Sequence, residues 1–360
     1  MIQSSKFNAG EWVEVRSKEE ILKTLDERGQ LENLPFMPEM FLFCGQRFQV
    51  FKRAHKTCDP PNGLLGRRMN ATVHLEGLRC NGSAHGGCQA RCLVFWKDAW
   101  LKRVDERAGQ SPAAPGGCTE AHVVKGTRAL GEDMNSADPV YVCQNSQVAA
   151  ATQPLRWWDP RQYLEDFTSG NTKVSSMVAS FLFFLYHELA TAGLGIGAPL
   201  RWIYDQFQKL RGGVPYPWRT GKIPKGTKTP SEKLNLQPGE LVRVKSYPQI
   251  LATLDQAGHN RGMWFDAEMV PYCGRVFRVL DRVRTIINEK TGRMMVMKNE
   301  CIMLEEVVCH ACYAKYRRFC PRSIYAYWRE IWLERVEAPN IPEAMNSRKN
   351  IEHASIGHGN

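Results

Sequence analysis

The sequence predicts an α+β chain built from two tandem small β-barrel modules. Three observations carry this reading: an internal repeat displaced by 229 residues, apolar residues alternating at period two at the head of each copy, and four cysteines late in each copy.

The repeat comes first because it organises the rest. A single shift superposes Gly10, Glu11, Val13, Val15 and Ser17 on Gly239, Glu240, Val242, Val244 and Ser246. It then carries Phe36, Glu39, Met40, Cys44 and Gly45 onto Phe265, Glu268, Met269, Cys273 and Gly274 without a gap. Each copy closes on the same pattern, Cys80-x7-Cys88-x7-Trp96-x3-Trp100 and Cys312-x7-Cys320-x7-Trp328-x3-Trp332. The boundaries that follow are residues 1–106 for the first module, 107–232 for a linker and central helical segment, 233–342 for the second module and 343–360 for a loose polar tail.

Within each copy, GEWVEV and GELVRV alternate as strands do. SKEEILKTLD and SYPQILATLD then read as short helices opened by a capping serine. A Cys-Gly pair leads into FQVFKR or FRVLDRV, a second strand. In the second copy NEKTGRMMVMKNECIMLE reads as a hairpin turning at Lys290-Thr291-Gly292, with one return strand from Met294 to Leu304. The closing stretches CLVFWKDAWLKRV and PRSIYAYWREIWLERV read as a C-terminal helix of each module, because Trp96 and Trp100, like Trp328 and Trp332, sit at i,i+4 and share one helical face. Core packing explains those tryptophans better than ligand stacking.

Cysteine placement points to metal. The opening MIQSSKFNAGEWVEV has no basic region followed by an apolar run, so the expected compartment is the cytoplasm, where the 12 cysteines stay reduced. Clustered reduced thiols are metal ligands more often than disulfides. In the first copy the candidates are Cys58, Cys80, Cys88 and Cys92, with His55, His74 and His85 among them and glycines supplying tight loops. In the second they are Cys301, Cys309, Cys312 and Cys320, which include a Cys-x2-Cys pair able to present two sulfurs to one ion. Zinc is the expected cofactor and an iron–sulfur cluster the alternative. Cys80 matches either Cys309 or Cys312, depending on where the loop insertion falls. Cys118 and Cys143 belong to neither repeat, and either could replace Cys58 as a fourth ligand. Cys44 and Cys273 read as small buried hydrophobes. Cys58 is also a candidate nucleophile with His55 beside it, since the basic stretch KRAHKTCD would lower a thiol pKa.

On the repeated strand, the Cys-Gly pair and the Cys-x7-Cys-x7-Trp ending, the chain resembles an uncharacterised bacterial family of duplicated Cys-rich modules with an SH3-like barrel pattern. The resemblance covers roughly 1–106 and 233–338, and it implies a fold without an activity.

Between the copies, VSSMVASFLFFLY at 174–186 is uncharged and strongly apolar, and His187-Glu188 interrupts it before LATAGLGIGAPL. It reads first as a buried helix, with a peripheral contact to the inner membrane through 174–200 as the alternative, since Lys173, Arg201, Lys209 and Arg211 flank it, and a true span as a third reading that the His-Glu pair and the Gly/Pro-rich half argue against. Asp159-Pro160 marks the start of a short helix after Trp157-Trp158.

A net charge of +11 permits contact with nucleic acid, anionic lipid or acidic protein and selects none of them. No phosphate loop, dinucleotide fingerprint, nucleophile elbow or paired metal-histidine motif is present. The leading expectation is therefore a metal-stabilised binding or assembly protein with a protein partner or an anionic surface. A metal or iron–sulfur redox or tailoring enzyme and a nucleic-acid-binding protein stand as alternatives.

Overall fold

A computed structural model describes residues 5–104, 117–133 and 135–336. The tail at 343–360 and all but the last residue of the linker at 107–117 lie outside the described residues. In the first copy the strands of three or more residues are β1 (Trp12–Val15), β2 (Arg47–Arg53), β3 (Lys56–Asp59), β4 (Leu65–Met69), β5 (Thr72–Arg79), β6 (Leu93–Lys97) and β7 (Leu101–Arg103), with helix α1 (Lys18–Leu22) after β1. The middle of the chain adds α2 (Glu120–Lys125), α3 (Val148–Ala151), β8 (Thr152–Pro154), α4 (Arg161–Thr168), α5 (Val174–Thr191) and α6 (Gly197–Arg211). The second copy holds β9 (Leu241–Val244), α7 (Tyr247–Leu251), β10 (Val276–Arg282), β11 (Thr285–Ile287), β12 (Met294–Val296), β13 (Ile302–Val308), β14 (Tyr325–Trp328) and β15 (Leu333–Arg335).

Each copy forms one antiparallel five-stranded sheet, in the order β6-β5-β2-β1-β7 or β14-β13-β10-β9-β15. The outermost strands of the first sheet, β6 and β7, are joined only by the three-residue turn Asp98–Trp100. Laid flat, five strands at about 4.8 Å spacing would hold those edges about 19 Å apart. Three linking residues reach only about 14 Å from the last residue of one strand to the first of the other. The sheet must therefore curl, and both sheets are half-barrels for the same reason, since Glu330–Trp332 makes the equivalent turn. Registers agree at the positions paired by the repeat: Val13 faces Phe48 as Val242 faces Phe277, and both β2 and β10 carry a register break one residue before their charged end.

The turns are anchored alike. Asp98 accepts the Ser5 hydroxyl and the Lys6 N–H at 2.7 Å each, and Glu330 accepts the N–H groups of Leu234, Asn235 and Leu236 at 2.7, 3.0 and 2.8 Å. Trp96, Trp100, Trp328 and Trp332 are fully buried. Phe36 meets Trp100 edge-on at 5.1 Å, and Phe265 meets Trp332 edge-on at 5.3 Å.

The expected C-terminal helices are absent from the described residues: Leu93–Arg103 and Tyr325–Arg335 are strand, short turn, strand. All five residues of β6 are buried, and a strand covered on both faces reads as a continuous apolar run with no period-two signal. The four-residue spacing of the tryptophans comes from a strand running into a tight turn. Their role as core holds. The expected hairpin forms as β11 and β12 around Gly292, whose φ is +71°. Its return strand stops at Val296, however, because β13 pairs with β10 and β14 in the half-barrel sheet rather than with β11.

By contacts the chain divides into two compact units that cut across the repeat. Unit 1 runs to Thr172 and also takes Arg284–Met297 and Tyr316–Ile324, while unit 2 comprises Lys173–Val283, Lys298–Lys315 and the chain from Tyr325. All the described residues before Lys173 that were expected to be central thus belong to unit 1. Ile287 is buried in the unit 1 core, with Ile286 and Met294 packed against it. In unit 2, α5 forms where the apolar run predicts a helix, but it is not buried: one row of its side chains faces outward. It is long and apolar enough to cross a membrane by length and composition.

Candidate metal centre

The centre is built on the loop 80–92 that leaves β5 and returns in β6. Cys80 donates its N–H to the Cys92 carbonyl at 2.8 Å, closing the neck of that loop. Gly82 has a φ of +76°, and a Cβ there would sit 2.2 Å from the Cys88 carbonyl oxygen, so only glycine lets Cys88 fold back over Cys80. Gly86 is similarly closed in, by the Tyr141 hydroxyl at 2.5 Å from a Cβ position.

Inside the loop, Cys80 Sγ lies 3.4 Å from His85 Nε2 and 3.5 Å from Glu39 Oε1, and Glu39 is delivered by the short turn Pro38–Phe43. The three donors fall within 4.8 Å of one another and could hold a metal ion. A tetrahedral zinc ion with bonds of about 2.3 Å to sulfur and about 2.0–2.1 Å to nitrogen or oxygen would separate such donors by about 3.6 Å. The observed spacing fits. Glu39 Oε2 and His85 Nδ1 are buried without a hydrogen-bond partner, which is costly unless something else engages them.

A cavity of about 30 Å³ adjoins these donors, and its lining includes Cys80, His85, Cys88, Cys92, Cys143 and Glu289. That volume is enough for one ion or water. Cys88 Sγ accepts the Ile287 N–H at 3.3 Å. Burial pushes the thiols of Cys80 and Cys92 far above their ordinary range and that of Cys143 up to about 11. It also raises the Glu39 carboxyl and lowers His85 to about 4. The pocket thus rejects isolated charge of either sign, and a bound cation is what would turn its thiols into thiolates.

Of the first-copy candidates, Cys80, Cys88 and Cys92 come together and Cys58 does not. Cys143 lines the same cavity, and Cys118 does not. Cys58 lies on β3 in a separate three-stranded sheet with β4 and β8, where its thiol hydrogen-bonds Cys320 and its carbonyl accepts Arg322 at 2.8 Å. The Cys320 hydrogen bond and burial raise the Cys58 pKa well above normal, outweighing Arg322 and Arg317. A nucleophilic role expected from the neighbouring bases finds no support there. His55 turns Nε2 toward the Gln162 carbonyl and Asp166 Oδ1, each at 3.2 Å, and His74 is a buried core group held by the Val94 carbonyl at 2.9 Å.

No protein-family model, no curated protein and no solved structure matches this chain.

In the second copy the four thiols are dispersed. Cys309 follows directly on β13 as Cys80 follows on β5, which settles their equivalence. Cys312 lies three residues on, Cys301 is buried just before β13 with its pKa raised to about 12 by burial, and Cys320 belongs to unit 1 beside Cys58. Among the described residues these thiols form no three-donor group. Glu268, the counterpart of Glu39, accepts the N–H groups of Cys312 at 3.0 Å and Tyr313 at 2.6 Å, so its carboxylate secures the loop backbone. Sequence reasoning missed Glu39 as a donor although the repeat marks it. It also missed Glu289, which no spacing rule connects to Cys92.

Proposed function

We propose that the chain is a metal-stabilised binding protein whose first module holds zinc through Cys80, His85 and Glu39, with Cys88, Cys92 and Cys143 as the adjoining thiol shell. The observation that carries this reading is the convergence of Cys80 Sγ, His85 Nε2 and Glu39 Oε1, with the thiol 3.4 and 3.5 Å from the other two, at a spacing that suits a tetrahedral ion. Small half-barrels have little core, and a metal staple is a common remedy. A single ion is preferred to an iron–sulfur cluster because the cavity is small and its nearest donors mix sulfur, nitrogen and oxygen. The two half-barrels then serve as scaffolds that present surfaces to a partner.

Metal analysis of the full chain purified without chelator tests the reading. Zinc at about one per chain, lost in both Cys80→Ser and His85→Ala, is the expected result. Brown protein carrying iron and sulfide would replace zinc with a cluster. Metal-free protein whose Cys80 and Cys92 are freely alkylated in the folded state would end the proposal.

A further inference from the structure

Helices α5 and α6 form a hairpin whose packing is inverted relative to a water-facing helix pair. Their inner sides are aromatic and polar. Phe183 meets Tyr204 edge-on at 5.8 Å and Tyr186 packs on it tilted at 5.6 Å, His187 Nδ1 meets the Tyr216 hydroxyl at 2.7 Å, and the Tyr216 N–H donates to Asp205 at 2.8 Å. Ser180 donates to the Cys312 carbonyl at 2.9 Å, and Lys315 pairs with Glu188 at 3.1 Å. The outer sides are apolar. Val174, Val178, Leu182, Leu185 and Leu189 recur at helical spacing along α5 and are all exposed, as are Trp202, Ile203, Phe207 and Leu210 along α6. The turn between the helices adds exposed Leu194 and Ile196.

An apolar face this continuous marks an interaction site rather than ordinary surface. Charge selects the partner. Between residues 173 and 233 there are nine lysines and arginines against three acids. Exposed Lys173 precedes α5, Lys209 and Arg211 close α6, and Lys222, Lys225 and Lys228 follow. A second copy would bring like charges face to face, whereas an anionic bilayer complements both the apolar rows and their basic flank. The inner side of α5 is committed to Cys312, Tyr313 and Lys315 of its own unit, so the hairpin lies in the membrane surface and does not span.

We infer that the outer face of the α5–α6 hairpin docks on an anionic lipid surface, with Leu182, Leu185, Trp202 and Phe207 entering the headgroup–acyl boundary and Lys209 and Arg211 meeting lipid phosphates. The inference stands on unit 2 alone and does not require the metal reading of the thiol cavity.

Co-sedimentation of the full chain with phosphatidylcholine vesicles, with and without about one-third phosphatidylserine, tests it. Binding should be about tenfold or more stronger on the anionic vesicles and should weaken with salt. Leu182→Gln with Phe207→Gln should lower it about tenfold or more, and Lys209→Glu with Arg211→Glu should remove the preference for anionic lipid. All four positions are exposed, and circular dichroism with thermal unfolding would verify that the variants fold. Protein left in the supernatant with anionic vesicles at low salt, or binding unchanged by the apolar pair, overturns the inference. So does a dimer dispersed by Leu182→Gln with Phe207→Gln in a chain that ignores vesicles, which would make a second copy the occupant.

Discussion

Trp100 donates its indole N–H to the Thr24 hydroxyl at 3.1 Å, and Trp332 repeats the bond to Thr253 at 2.9 Å. Both indoles are fully buried, so removal of the acceptor strands a donor inside the core. Thr24→Val and Thr253→Val should each destabilise the chain by about 1–3 kcal/mol, and Thr24→Ser by much less. Urea unfolding followed by tryptophan fluorescence would measure all three, and a neutral Thr24→Val would show the bond to be unimportant.

Glu330 is fully buried, accepts three backbone N–H groups and pairs with Arg282 at 2.9 Å. Glu330→Ala strands the three backbone donors and removes the carboxylate paired with Arg282, and a loss of about 3–5 kcal/mol is expected. Comparison with Asp98→Ala, where the clasp holds fewer donors, should show the smaller effect there. Equal losses would contradict this ranking.

Acid sensitivity should centre on His74. Burial lowers its pKa from 6.5 to about 3, with the Val94 carbonyl opposing. A base with a depressed folded-state pKa binds its proton more readily when unfolded. The stability it preserves is therefore complete above about pH 6.5 and is lost progressively as pH falls from 6.5 toward 3, up to about 5 kcal/mol. The second copy has Met303 at the equivalent ladder position, also fully buried. His74→Met should flatten the acid limb of the stability profile while changing stability at neutral pH by about 1 kcal/mol. A profile identical to that of the parent chain would locate the acid sensitivity elsewhere.

Removal of metal should expose how much the thiol cavity contributes. With free metal at about a thousandfold above its Kd, binding adds about 4 kcal/mol to the folded state, which corresponds to roughly 8–16 °C in Tm for a unit of this size. Thermal scans with and without a strong chelator would read that difference, and Cys80→Ser should already sit at the chelated value. Superimposable scans would show that no metal stabilises the chain.

Cys58 should resist alkylation. Its thiol is buried, hydrogen-bonded to Cys320 and held neutral at neutral pH. Peptide mapping after brief iodoacetamide treatment of the folded chain should find it unmodified, with labelling only after denaturation. Rapid native labelling would restore the case for a reactive thiol.

The half-barrels were legible where period and repeat coincide. The strands GEWVEV and GELVRV, the serine-capped helices and the core tryptophans follow from residue spacing. The helices expected at Leu93–Arg103 and Tyr325–Arg335 did not: in the first copy burial of β6 on both faces erases the alternation that distinguishes a strand, and in the second Tyr325, Ala326 and Tyr327 are all partly buried and show no alternation either. At the candidate metal centre, Cys80, His85, Cys88 and Cys92 share one short loop, and proximity in sequence was enough to group them. Cys143 and Glu39 arrive from distant elements, and Cys58 departs with a separate sheet; only the three-dimensional pairing of β3 with β4 and β8 decides that exchange. Cys320 is the sharpest case, since its repeat position suggested partners in its own copy while its contacts lie with unit 1.

The pieces that complete unit 1 are the last of it to be synthesised. Ile287 enters its core, Glu289 lines its thiol cavity and Arg322 grips the Cys58 carbonyl, yet all three emerge only after the whole of Lys173–Val283 has been made. A nascent chain therefore cannot finish its first module before its second is largely translated, contrary to the usual N-terminal-first order. The ribosome releases an opening module with one wall still missing, and a gene cut between the two copies would leave it so permanently.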